Sequence, residues 1–157
     1  MVLETVGPPV LHGTVGGMLE VKGTRVFAVE PSTMVYDAIA RMDEWRVGAL
    51  LVMQDDRLIG IVSERDYTRR VILRGRASRD TPVEDIMTRD VITVRRDTTL
   101  GDCLGIVTKH GIRHLPVVED GRVVGVISIG DLVRTVLAQQ AEQISSLKSY
   151  IQSDYPS

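Results

Sequence analysis

The stretch GVISIGD, Gly125–Asp131, has a counterpart in GIVSERD, Gly60–Asp66, and both place a serine three residues before an aspartate. The two copies belong to a longer repeat, because residues 26–72 align with residues 91–137 at a constant offset of 65 positions without a gap. Identical pairs at this offset include Val29/Val94, Thr33/Thr98, Asp37/Asp102, Leu50/Leu115, Val52/Val117, Asp55/Asp120, Arg57/Arg122, Gly60/Gly125, Ser63/Ser128 and Asp66/Asp131. The chain is therefore a tandem repeat.

Each repeat has a β-α-β-β-α pattern. In the second repeat, VITV predicts a short strand, and the next stretch predicts a helix with Asp97 or Thr98 as its N-cap and Gly111 at its end. The runs HLPVV and RVVGVI predict two antiparallel strands, connected by EDG, in which Gly121 can adopt a positive φ. Apolar residues recur at helical spacing from Ser128 onward, so a second helix closes the repeat. The first repeat follows the same pattern, and the fold class is α/β (α+β).

Short segments flank the repeats. Thr81 is a predicted N-cap, with Pro82 at the first helical position and Glu84 three residues after the threonine, so a short helix is expected before VITV. TVGGML, Thr14–Leu19, is its counterpart before the first repeat. The units expected are a first repeat over residues 14–76, a second over 81–140 and a helical tail over 141–157.

The tail from Ala138 onward continues the last helix, because Ile144, Leu147 and Ile151 recur at helical spacing before polar residues and Pro156. A solvent-facing apolar stripe of this kind favours a docking helix, either for a second copy of the chain or for a partner, that frays at its end.

Composition restricts the class of function. A net charge of −2 over 157 residues provides no basic field to attract nucleic acid or an anionic membrane. Apolar runs such as Val47–Met53 are too short to span a bilayer, and MVLETVGPPV lacks the features of a signal peptide, so we expect a cytosolic protein. Cys103 is the one cysteine and has no zinc-ligand spacing around it, which favours a packing role.

At this point the residues resemble a known family. Each repeat resembles the cystathionine β-synthase (CBS) domain, and the pair resembles a Bateman module. The resemblance is carried by VEDIM before the first strand, RHLPVV on the second strand, the EDGRVVGVIS hairpin and the Gly-x-x-Ser-x-x-Asp ending. The resemblance covers residues 14–137. It implies two repeats packed about a pseudo-twofold axis, adenosine nucleotides in the cleft between them, and association of two modules into a disc, which means a homodimer.

The Ser-x-x-Asp element has two interpretations. In one, Ser63 and Ser128 cap the helices that follow, and each acid lies near the positive helix end. In the other, a carboxylate on the first helical turn accepts two hydrogen bonds from a ribose diol, and the resemblance implies this role for Asp66 and Asp131. The two roles are compatible, and each serine can serve both.

Phosphate contacts are implied by the resemblance for Arg113 and His114, just ahead of LPVV. The first repeat has Gly48 and Ala49 at these positions and therefore lacks these phosphate contacts. The alternative is that Arg113 is a solvated charge and His114 a partly buried polar residue.

The first repeat offers Arg65 and Arg69 as phosphate candidates instead. A cation at the second position of a helix opposes the helix dipole, a local cost that a bound phosphate would reverse, which favours Arg65. The alternative is that Glu64 and Asp66 neutralise Arg65 on the surface. The hypothesis is therefore two non-equivalent sites.

Contacts to adenine are expected from backbone after each first strand. Val29 and Thr93 are the candidates there, together with Gly48 and Ala49.

The function predicted is regulation: an energy-sensing signal-transduction module that binds AMP, ADP or ATP and changes conformation for an unidentified protein partner. NAD or S-adenosylmethionine would suit a wide cleft. No catalytic motif and no metal site is found in the sequence, so an enzyme is not expected. Two alternatives stay open: a structural dimerisation or interaction module without a nucleotide, and a nucleic-acid-binding CBS protein, which the acids beside the arginines disfavour.

Overall fold

Each repeat folds around a hydrophobic core of its own in the computed structural model, which describes residues 11–153. The elements in chain order are α1 (Val15–Lys22), β1 (Ala28–Val29), α2 (Val35–Trp45), β2 (Ala49–Gln54), β3 (Arg57–Ser63), α3 (Glu64–Tyr67), a π-helical turn (Thr68–Ile72), a 3₁₀ turn (Val83–Asp85), α4 (Leu100–His110), β4 (His114–Glu119), β5 (Arg122–Ser128) and α5 (Ile129–Ser153). The predicted α/β class with two repeats and a C-terminal helix is confirmed.

The two sheets differ in their first strand. In the first repeat β1 pairs in parallel with β2, and β2 pairs antiparallel with β3. In the second repeat β4 and β5 form a hairpin, and of the residues VITV, all within the described range, Val94 alone pairs, in a parallel bridge with Val117. The predicted strand is therefore wrong in its length. Leu51 donates its N–H to the Phe27 carbonyl at 3.0 Å, whereas Pro116 at the matching position has no N–H to donate.

The cap and turn residues of the second repeat follow the predicted chemistry with one shift. The N-cap of α4 is Thr99, whose Oγ1 accepts from the Asp102 N–H at 3.1 Å, rather than one of the two residues before it. Thr98 instead accepts from the amide of Arg95, which closes the preceding turn. The helix ends at Gly111 (φ 61°), and Gly121 has φ 74°, so both predicted left-handed glycines are confirmed.

The segments that precede the repeats are exchanged between them. Val15 and Leu19 of α1 pack in the core of the second repeat. Val83 and Ile86, around the 3₁₀ turn before the second repeat, pack in the core of the first. Each repeat thus completes its core with a segment that the sequence places beside the other repeat.

The short helix predicted at Thr81 is present only as the 3₁₀ turn Val83–Asp85, and the predicted cap is wrong. Pro82 occupies the cap position with φ −72° and ψ 150°, outside the helix. The Thr81 hydroxyl donates backward to the carbonyl of Ala77 at 2.7 Å instead. Thr81 therefore ties the linker to itself rather than capping the turn.

Gly60 and Gly125, the first residues of the repeated heptapeptides, explain how closely the exchanged segments approach the sheets. A Cβ atom at Gly125 would lie 2.7 Å from Leu19 Cδ2, and one at Gly60 would lie 2.9 Å from Met87 Cγ. Both neighbours are buried. The glycine in each copy is therefore required by packing against a segment from outside its own repeat.

Helix α5 changes character along its length. Its first turns contribute the buried Leu132 to the second core, and the later turns are exposed. The predicted continuation of the last helix is confirmed to Ser153, and the predicted end of the tail, with Pro156, lies outside the described residues. Between residues 11 and 153, no helix has both the length and the apolar composition needed to cross a membrane.

Candidate functional site

Two clefts lie where the repeats face each other, beside the contact between β3 and β5. The Asp131 cleft, about 360 Å³, is formed by residues drawn from 22–27, 46–49 and 126–134. The Asp66 cleft, about 350 Å³, is formed by residues drawn from 61–66, 88–92 and 111–114. Both repeats contribute to each cleft, and corresponding segments line the two, so the clefts are related by the internal repeat.

The Ser-x-x-Asp elements form capping boxes at the first turns of α3 and α5. Ser63 Oγ accepts from the Asp66 N–H at 3.2 Å, and Asp66 Oδ2 accepts from the Ser63 N–H at 2.9 Å. Ser128 and Asp131 make the same two bonds at 3.2 and 2.8 Å. The capping interpretation is confirmed, and it fixes both carboxylates at the lining of their clefts.

Asp131 is buried and has two cationic partners. Lys22 Nζ at the end of α1 lies 2.5 Å from Oδ2, and Arg134 lies 2.7 Å from Oδ1. Burial raises the pKa of this carboxyl, but the hydrogen bonds from Lys22 and Ser128 outweigh it and hold the pKa below its ordinary value of 3.8. Asp131 is therefore ionised at neutral pH, with both oxygens engaged.

Asp66 is engaged on one side only. Its Oδ2 accepts from the amide and hydroxyl of Ser63, while Arg70 Nε lies 3.8 Å from Oδ1, beyond hydrogen-bond distance. Arg70 donates instead to the carbonyls of Ile86 and Met87 at 2.6 and 3.1 Å. The Oδ1 atom of Asp66 is thus the less restrained of the candidate ribose acceptors.

Three of the four predicted phosphate residues, Arg65, Arg113 and His114, line the Asp66 cleft. Arg65 and Arg113 both line it, and Arg65 donates to the carbonyl of Gly111 at 3.2 Å, which links the two repeats. His114 borders both clefts opposite Gly48. Burial, followed by the charge of Lys22, lowers the pKa of His114 below 6.5, with a smaller contribution from Arg113 and partial opposition from Asp131. His114 is therefore neutral at neutral pH and offers a hydrogen bond rather than a charge.

Three predicted residues, all within the described range, lie away from both clefts. Val29 is buried in the first core. Thr93 and Arg69 are exposed to solvent. Of the predicted adenine contacts, Gly48 lines both clefts and Ala49 lines the Asp131 cleft.

Four cations of the Asp131 cleft were missed by reasoning from sequence. Lys22 and Arg25 reach it on the segment that crosses between repeats, which no local pattern predicts. Arg134 follows Asp131 by three residues, a spacing that places both on one helical face and could have been noticed. Arg46 lies at the position where the second repeat has Gly111 at the end of its helix. This replacement of a glycine by an arginine is the clearest sequence signal that a cation belongs to the cleft.

Cys103 is buried in the second core, as predicted. Burial and the nearby charge of Asp102 raise the pKa of its thiol to about 11, so the reactive thiolate is scarce at neutral pH. Across residues 11–153, no group of three or more histidine, cysteine, aspartate or glutamate side chains is arranged to hold a metal ion.

Two β-α-β-β-α repeats that exchange segments and face each other across paired clefts define a tandem-repeat module. The chain belongs to the CBS domain family, whose model matches residues 20–72 and 83–138. It is 42% identical over 126 residues to the mitochondrial CBS domain-containing protein CBSX3 of Arabidopsis thaliana, a match that covers 77% of this chain and 61% of that protein.

Solved structures are similar over most of the chain. A putative signal-transduction protein with CBS domains from Burkholderia ambifaria shares 44% identity, with a TM-score of 0.79 over 82% of this chain and 96% of that one. The CBS domain pair of protein MJ0100, solved with 5′-methylthioadenosine and S-adenosyl-L-methionine, shares 22% identity, with a TM-score of 0.72 over 82% and 98% of the two chains. The second likeness concerns the fold.

Proposed function

We propose that this protein is a regulatory module that binds adenosine nucleotides between its two CBS repeats. The observation that carries the proposal is the pair of carboxylates, Asp66 and Asp131, each fixed by a capping box at the lining of an inter-repeat cleft. A carboxylate so placed can accept both hydroxyls of a ribose diol. The adenosine-type ligands of the MJ0100 pair, which has the same fold, support this class of ligand.

Cationic side chains beside the carboxylates can contact a phosphate group of the ligand. Arg65 and Arg113 line the Asp66 cleft and are the proposed phosphate contacts there, with His114 as a neutral hydrogen-bonding group. Gly48 and Ala49 leave room for a planar base against the backbone. AMP, ADP, ATP and NAD all contain the adenosine part that this arrangement would recognise.

Transmission of the signal would follow from the construction of the clefts. Each is lined by both repeats, so a bound ligand bridges them and favours one relative arrangement of the repeats. A partner with higher affinity for that arrangement would then respond to ligand. This role is regulatory rather than catalytic. The chain spans 61% of the length of CBSX3.

A thermal-shift panel tests the proposal. Adenosine, AMP, ADP, ATP, NAD and S-adenosylmethionine are each added to the full chain, with GTP as the control nucleotide. A ligand that binds only the folded state contributes about 2.7 kcal/mol at a hundredfold excess over Kd, and the melting temperature rises. We expect a rise with at least one adenylate and none with GTP. Equal responses to all nucleotides would indicate non-specific anion binding, and no response would favour a structural module.

A homodimer is also proposed, with its contact on α5. Five apolar side chains of α5 are exposed to solvent: Val133, Leu137, Ile144, Leu147 and Ile151. Together with Gln140, they follow one another at alternating steps of four and three residues. This spacing forms the continuous seam of a two-stranded coiled coil. Pairing of two such seams would remove large apolar side chains from water.

Truncation after Ala138 tests the seam. We expect the full chain to sediment as a dimer and the truncated chain as a monomer, because three of the five apolar side chains of the seam, Ile144, Leu147 and Ile151, are removed. A truncated chain that stays dimeric would place the contact elsewhere.

The cytosolic location is still a prediction, since the relative CBSX3 is named as mitochondrial.

A further inference from the structure

The described residues that line the Asp131 cleft carry an excess of positive charge. Lys22, Arg25, Arg46 and Arg134 line it, against the one carboxylate of Asp131. Arg25 is held at the rim by stacking on a ring of the same cleft, with its guanidinium carbon 4.8 Å from the centroid of the Phe27 ring. A cleft with this excess of cations concentrates anions.

The Asp66 cleft has the opposite balance over the same part of the chain. Its two arginines, Arg65 and Arg113, face three carboxylates, Glu64, Asp66 and Asp90. Asp90 lies at the position that Arg25 occupies in the other repeat, so the charge is reversed at matched places in the two clefts. A polyanion is repelled here more than in the Asp131 cleft, while one phosphate can still pair with an arginine.

The two proposed ribose acceptors, Asp131 and Asp66, also differ in how closely cations surround their carboxylate oxygens. A ribose diol that binds Asp131 with both hydroxyls competes with Lys22 and Arg134 for the carboxylate oxygens, and a cation that it displaces needs another anionic partner. A chain of phosphates supplies that partner, and an uncharged adenosine does not. Asp66 Oδ1 is available without displacing a cation at hydrogen-bond distance, so its cleft imposes no such requirement.

Arg46 adds an independent observation. It ends α2 in the left-handed region, with φ 55° and ψ 46°, where Gly111 ends the matching α4. A residue with a Cβ atom is disfavoured in this conformation, and such strain is found where a side chain serves a function. Here it places a guanidinium at the Asp131 cleft at a position where glycine would be the relaxed choice.

We propose that the two clefts select different adenosine ligands: the Asp131 cleft takes an adenosine polyphosphate, and the Asp66 cleft takes adenosine with at most one phosphate. The proposal rests on the proposed function, because it assumes that both clefts bind adenosine. It names the ligand class of each cleft, with Lys22, Arg25, Arg46 and Arg134 as the residues that determine it.

Calorimetry on the full chain tests the assignment with ATP and adenosine as probes. Asp66→Asn leaves the Asp131 cleft intact, and there we expect ATP to bind at least tenfold more tightly than adenosine, with an affinity that falls as salt is raised. Asp131→Asn leaves the Asp66 cleft intact, and there we expect adenosine to bind at least as tightly as ATP.

The Arg46→Gly variant measures the contribution of one cation in the otherwise natural protein. Because glycine suits the left-handed position, we expect an unchanged or higher melting temperature together with ATP affinity about tenfold weaker. Arg57→Gln, at the exposed start of β3, is the control and should leave both unchanged. Equal affinities for ATP and adenosine in Asp66→Asn, or an unchanged ATP affinity in Arg46→Gly, would overturn the assignment. Failure of wild type to bind either probe would instead overturn the proposed function.

Discussion

A Gly125→Val variant is expected to lose about 3 kcal/mol of unfolding free energy, at the upper end of the cost of overpacking a core. Even the first added carbon would lie 2.7 Å from Leu19 Cδ2, and Leu19 is itself fully buried, so it cannot swing into solvent. The clash falls between α1 and the sheet of the second repeat. The variant therefore weakens the exchange of segments that joins the repeats, and urea denaturation measures the loss.

Gly105→Ala provides the matched control, because this glycine is exposed within α4 and a Cβ atom there meets nothing within 4 Å. Its helix should become more stable by about 0.5–1 kcal/mol. A Gly125→Val protein as stable as wild type would show that α1 does not pack against β5 as described.

Asp131→Ala is expected to have two effects. Loss of the capping carboxylate lowers the unfolding free energy by about 1–2 kcal/mol, and more if Lys22 is left without an anionic partner. Binding of the polyphosphate ligand to its cleft is lost as well, because the proposed ribose acceptor is gone. Chemical denaturation measures the first effect and calorimetry with ATP the second.

Asp131→Asn separates the two effects. An asparagine oxygen can still accept from the Ser128 amide, so most of the capping energy is retained, while the charge that pairs with Lys22 and Arg134 is removed. We expect a stability between that of wild type and that of Asp131→Ala, because the cap is kept while Lys22 and Arg134 lose their anionic partner. ATP binding to this cleft should be lost. If both Asp131 variants bind ATP as wild type does, the aspartate serves only as a cap.

The repeat itself, the capping boxes and the left-handed glycines could all be predicted from the sequence, because each is encoded within a few residues. Ser128 and Asp131 lie three apart at a strand-to-helix junction, and this spacing alone specifies a capping box. The shortened strand of the second repeat was also within reach, since Pro116 cannot donate a ladder hydrogen bond.

The exchange of segments could not be predicted in the same way. Leu19 and Val83 are apolar at helical spacing, which specifies that they are buried but not against which repeat. Because the exchange was not foreseen, the charged residues of each cleft were not foreseen either. Lys22 belongs in sequence to the first repeat, yet its ammonium group binds the carboxylate of the second. Sequence reasoning therefore assigned the phosphate grip to Arg113 and Arg65 and overlooked the more basic cleft.

Adenosine ligands are proposed to bind between the repeats through Asp66 and Asp131. The most direct measurement is the thermal-shift panel repeated on the double variant Asp66→Ala/Asp131→Ala beside wild type. We expect adenylates to raise the melting temperature of wild type but not that of the double variant, whose melting temperature without ligand is lowered by the lost caps. An adenylate shift of equal size in both proteins would contradict it.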